Sequence, residues 1–182
     1  EAEGDDAMIL VKLEHARALV ALGRAPAAAD LIAHWRQAPG SRDQRELLTE
    51  FVNVLREAGR FEEMDQALAE LRSLFSDRPE ALALAVIQRA TAHRAAAAAL
   101  EDYIFRFGAD AANLMLVAPA LAAIPDFPLL QRVVGAAQER GFDSRPFRMF
   151  VAEARLRAGD TPGFLRETAE IQKLPGVPAR DA

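Results

Sequence analysis

The chain has 182 residues, 51% hydrophobic and 27% charged, a balance that supports a buried core without staples and excludes both a disordered tail and a membrane span. There is no cysteine, which removes disulfides, thiol nucleophiles and the usual structural zinc sites together. A net charge of −5 and a pI near 5.3 argue against a protein that works by neutralising nucleic-acid phosphates or by lying on an anionic membrane.

Alanine supplies 39 residues, while β-branched and aromatic residues are sparse, so the expected class is all-α with almost no sheet. The opening residues 1–7 read as a linker without a basic or strongly apolar leader, and the segment reads as an excised piece of a larger bacterial protein. The first helical stretch then runs into Gly23, and Pro26 stands early in a second helix. Ser41-Arg42-Asp43-Gln44 and Asp77-Arg78-Pro79-Glu80 have the spacing of helix starts, and between them Gly59 ends another helix. Thr91 and Pro125 take the breaker position in the next two units, Asp126 precedes a helix start at Phe127-Pro128, and Gly159 with Pro162 mark the last unit. Pro119 lies inside the apolar pattern from Asn113 to Leu121, where a kink or break is expected. Residues 175–182, with two prolines and a glycine, read as a tail.

The breakers Gly23, Gly59, Thr91, Pro125 and Gly159 stand 36, 32, 34 and 34 residues apart. Each follows an apolar helix and precedes a second one, as in Val54-Leu55-Arg56-Glu57-Ala58-Gly59-Arg60. Over residues 8–174 this resembles the tetratricopeptide (TPR) repeat, with units near 9–42, 43–76, 77–110, 111–144 and 145–174. The resemblance implies an α-solenoid of antiparallel helix hairpins forming a right-handed superhelix. Its small eighth position is Ala16, Val52, Leu84, Ala118 and Ala152, and its apolar eleventh is Leu19, Leu55, Ile87, Leu121 and Arg155. The fourth position departs, with Lys12, Glu80 and Arg148 where the family has large apolar groups.

The resemblance further implies a concave groove lined by the first helix of each unit. Carried over, the groove includes Arg17 in the first unit, Asn53 and Arg56 in the second, and Gln88 and Arg89 in the third. Met115 follows in the fourth, and Met149, Glu153 and Arg157 in the fifth. Neighbouring Asn53, Arg56, Gln88 and Arg89 offer planar donors to a peptide, against the alternative of a solvated helix face. Met115 and Met149, one unit apart, read either as an adaptable apolar patch or as core. Leu13, Arg17, Glu50, Arg78 and Leu82 replace the set with which some family members grip a C-terminal carboxylate, so that mode is not expected.

No catalytic or metal site is expected. The three histidines His15, His34 and His93 are not spaced as ligands, His15 reads as a core residue, and no nucleophile elbow or phosphate loop is present. No cofactor is implied. The expected function is a non-enzymatic scaffold for a protein or peptide partner, with bacterial secretion, envelope assembly or polysaccharide export as the contexts in which similar arrays occur. The alternative is RNA recognition by related helical-hairpin repeats, against which the acidic balance weighs. Direct membrane insertion is not expected, the uncapped end units call for cover by either the rest of the parent protein or self-association with a second copy, and the compartment stays open between cytoplasm and periplasm.

Overall fold

The computed structural model describes residues 2–38, 44–124 and 127–174. Among the described residues it is all-helical, with ten helices: α1 (Ala2–Ala21), α2 (Ala25–Trp35), α3 (Arg45–Glu57), α4 (Phe61–Leu74), α5 (Pro79–Thr91), α6 (Ala97–Phe107), α7 (Ala111–Ala122), α8 (Phe127–Glu139), α9 (Arg145–Arg157) and α10 (Thr161–Lys173). They group into two compact units, residues 1–88 and 89–182. No helix is long and apolar enough to cross a membrane among the described residues.

In the first unit α1 packs on α2, α2 on α3 and α3 on α4, and α1 also meets α3. In the second, α6 meets α7 and α8, α7 meets α8 and α9, α8 meets α9, and α10 packs on α9. Odd-numbered helices α3, α5, α7 and α9 begin 34, 32 and 34 residues apart, which carries the sequence period into the structure. Buried positions recur with that period. Ala28, Met64, Ala96 and Leu130 are buried, and Ile32, Leu68, Leu100 and Val134 repeat the pattern four residues later.

The turns explain why the helices stop. Gly23, Gly59 and Gly159 have φ of +72°, +70° and +74°, a left-handed conformation that costs glycine little because it has no Cβ. Each closes the same pair of bonds: the Gly59 amide donates to the Arg56 carbonyl at 3.0 Å and the Arg60 amide to Leu55 at 2.9 Å. The third turn departs from expectation. Thr91 is the last residue of α5, and the left-handed residue is His93 at φ +53°, with its amide on Ala90 and that of Arg94 on Arg89. Histidine enters this region more readily than a β-branched threonine does. Pro125 and Asp126 lie outside the described residues, as do Ser41, Arg42 and Asp43.

Four other expectations change. Residues 2–7, read as a linker, belong to α1. Pro79 is the first residue of α5, so the cap position falls on Arg78 rather than Asp77. Of the kink or break expected at Pro119, the break does not occur: α7 continues to Ala122 while burying Leu114, Val117, Ala118 and Leu121. That burial offsets the single backbone bond the proline removes. His15 is exposed rather than core, its ring 6.0 Å from that of Trp35.

α10 starts under a carboxylate cap. Asp160 accepts from the Gly163 amide at 2.9 Å and from Arg155 Nη1 at 2.6 Å. A Cβ on Gly163 would collide with that carboxylate, so the cap requires glycine there. The Gly163 amide, and then Arg155, hold the Asp160 pKa below its ordinary 3.8. A carboxylate depressed in the folded state stabilises above its unfolded pKa and ceases to do so as pH falls through the lower folded value. Amides of α10 should therefore exchange faster as pH drops below 3.8, after correction for intrinsic rates. Asp160→Ala should loosen α10 already at neutral pH and remove this acid dependence; an unchanged acid response would refute the assignment.

Candidate functional site

On α3 the residues Glu46, Glu50, Asn53 and Arg56 follow one another at three- and four-residue steps and so share a face. The opposite face buries Leu47, Leu48, Val52 and Leu55, which fixes the polar row outward. Beside that row the first unit carries a cleft of about 580 Å3, lined by Leu13 and Arg17 of α1, by Glu46, Thr49, Glu50 and Asn53 of α3, and by Glu80, Ala81 and Leu84 of α5. A second cleft of about 490 Å3 shares Arg17, Glu50 and Asn53 with it and extends to Arg56 and Glu57.

The polar side chains are joined across helices. Arg17 Nη2 donates to Glu50 Oε2 at 3.3 Å and Nη1 to Glu14 at 2.9 Å. The Glu50 carboxylate, by accepting that bond, raises the Arg17 pKa further, so the guanidinium stays charged. Gln88 Nε2 donates to Asn53 Oδ1 at 2.8 Å, and Arg56 Nε donates to Gln88 Oε1 at 2.6 Å. Arg56 Nη2 also pairs with Glu57 at 2.5 Å. The partners stand 32 to 35 residues apart, one repeat, so the same ladder that lines the cleft ties neighbouring hairpins together.

Of the residues read from the sequence, Arg17, Asn53, Arg56 and Gln88 therefore meet in the first unit. Their chemistry differs from that expected. Gln88 is buried and spends both ends of its amide inside the ladder, and Arg56 is engaged on two sides, so the set is not an array of free donors. Arg89 belongs to the second unit. There, Met115 is half-buried on α7 and Met149 is 62% exposed on α9, two helices in contact. Glu153 and Arg157 are exposed and pair with each other one turn apart at 2.7 Å, which makes them a solvated helix face.

Glu46, Thr49, Glu50 and Glu80 line the cleft without having been singled out as groove residues. The signal available in the sequence was Glu50 itself, a carboxylate set among Leu47, Leu48, Phe51 and Val52. Among the described residues no three histidine or acidic side chains are placed to hold a metal ion. Compared with known proteins, the chain matches no family model, no curated protein and no solved structure.

Proposed function

We propose that the chain is a divergent TPR-like α-solenoid that serves as a non-enzymatic scaffold, holding a peptide or an extended segment of a protein partner along the first helices of its hairpins. The observation that carries this reading is the open cleft on α1, α3 and α5. Asn53 on its wall and Arg56 in the adjoining cleft are already held by hydrogen bonds to Gln88, so these two lose little conformational freedom when a ligand docks. An apolar floor with a few fixed polar groups suits a peptide, whereas its carboxylates disfavour phosphate-rich ligands such as RNA. Secretion, envelope assembly and polysaccharide export are contexts in which such a scaffold would serve.

The test is selection of a random peptide library displayed on phage against the immobilised chain, repeated with Thr49→Trp. Thr49 is half-buried on the cleft wall, and an indole there fills the space without touching the core face of α3. Enriched peptides that bind the original chain and lose at least about tenfold affinity for the variant support the reading, since about 1.4 kcal/mol separates them. Enriched peptides that bind both chains equally refute the cleft as their site.

A further inference from the structure

We infer that this cleft selects its peptide through one basic side chain, an arginine or a lysine, whose cationic head is received by Glu50, with Glu46 and Glu80 on the same cleft wall adding to the field. The inference rests on the peptide-binding reading above and names the chemistry of the occupant. Its starting point is Glu50, a side chain only 12% exposed yet poorly satisfied. Among the described residues its carboxylate accepts one hydrogen bond, from Arg17 at 3.3 Å, longer than the 2.7–2.9 Å typical of charge-assisted bonds. A carboxylate accepts about four hydrogen bonds, so most of the capacity of Glu50 is unused.

Arg17 is a weak competitor for that capacity. It is 53% exposed and divides its guanidinium with Glu14, with which it makes the shorter bond. The other cations of the two clefts are also occupied: Arg45 by Glu46 at 3.0 Å, and Arg56 by Glu57 and Gln88. Against these three arginines stand four carboxylates, Glu46, Glu50, Glu57 and Glu80, and Glu80 makes no ion pair among the described residues. Glu46 lies one helical turn before Glu50 on α3, and Glu80 stands one repeat after Glu46 on α5. The cleft thus has an excess of acceptors, to which a cation is complementary.

The walls choose between kinds of cation. Among the described residues these carboxylates do not stand close enough together to hold a metal ion. Leu13, Ala81 and Leu84 instead give a long aliphatic stem an apolar bed, the way lysine and arginine stems cover apolar surface while their heads stay polar. An acidic side chain would meet the same carboxylates and be repelled.

The experiment uses two fluorescein-labelled heptapeptide pools, XXXRXXX and XXXEXXX, with X drawn from Ala, Leu, Ser and Thr, titrated by fluorescence polarisation at fixed ionic strength. The arginine pool should bind about tenfold more tightly than the glutamate pool, as expected for one hydrogen-bonded charge. Glu50→Gln should remove most of that preference, and Arg17→Gln should strengthen arginine-pool binding by about threefold, because Glu50 is then shared with no other cation. A Glu50 that merely held α1 to α3 would give the opposite sign for Arg17→Gln. If Glu50→Gln fails to fold, Arg17→Gln and the exposed Glu80→Gln decide the matter, the latter by a loss of about threefold. Equal binding of both pools, with Thr49→Trp still abolishing it, would overturn the basic-side-chain inference and leave the peptide reading standing. An arginine preference that survives Glu50→Gln would also overturn it, because attraction would then come from the net charge of the chain. Absence of binding by either pool, together with no enriched phage, would overturn both.

Discussion

Leu55→Ala should lower the stability of the first unit by about 3 kcal/mol, within the range for a fully buried leucine whose cavity cannot collapse. Leu55 is completely buried on α3, the helix that meets α1, α2 and α4 and also presents the cleft row. Few neighbours are free to fill the space, since Leu47, Leu48 and Val52 on the same helix are themselves fully buried. The only tryptophan, Trp35 on α2, reports on this unit, so the loss should appear as an earlier urea midpoint in its fluorescence. Leu22→Ala supplies the control: that leucine sits in the first hairpin turn and is 73% exposed, so its loss should stay within about 0.5 kcal/mol. Equal effects of the two substitutions would refute the core assignment. Because the cleft row is carried by α3, Leu55→Ala should also weaken peptide binding at urea concentrations where the wild-type chain is still folded.

The contrast between these two leucines marks what a sequence can convey. Leu55 repeats at the eleventh place of its unit, along with Leu121, and periodicity alone puts both in a core. The hairpin ends at Gly23, Gly59 and Gly159 were legible for a local reason, namely that a left-handed residue closing a helix favours glycine. The third end was misplaced because His93 adopts the same conformation without a residue type that announces it. Helix α1 was read too short for a related reason, since its first turn has no apolar pattern and is helical nonetheless.

The candidate site was legible in position but not in bonding. Arg17 lies on α1, Asn53 and Arg56 on α3 and Gln88 on α5, and helical spacing is what makes such placements readable. Which donor meets which acceptor depends on how α1, α3 and α5 come together, and at separations of 32 to 35 residues no local rule supplies that. The same holds for Glu50. Its identity within an apolar run was visible, while the length of its bond to Arg17 and the space beside it exist only once α1, α3 and α5 are assembled.

Glu167→Ala should destabilise the second unit by about 2 kcal/mol, more than an exposed ion pair would allow and less than a fully buried one. Arg148 on α9 is a half-buried cation, and the structure shows what meets it. Its Nη1 meets Glu167 of α10 at 2.6 Å, with the two side chains 21% and 12% exposed. An ion pair thus joins α9 to α10. Arg148 Nε is buried without a partner, so the guanidinium already lacks one bond, and removing Glu167 leaves a mostly buried cation with less still. α10 is vulnerable to this, because its one fully buried residue is Gly163 and its apolar side chains Phe164 and Ile171 are only half-buried. The double replacement Arg148→Met with Glu167→Leu should recover stability to within about 1 kcal/mol of the original, as apolar pairs of similar volume often match buried ion pairs. Thermal melts of the single and double variants, with exchange at the α10 amides, test this. A double variant no more stable than Glu167→Ala would mean that the pair is not what holds α10 in place.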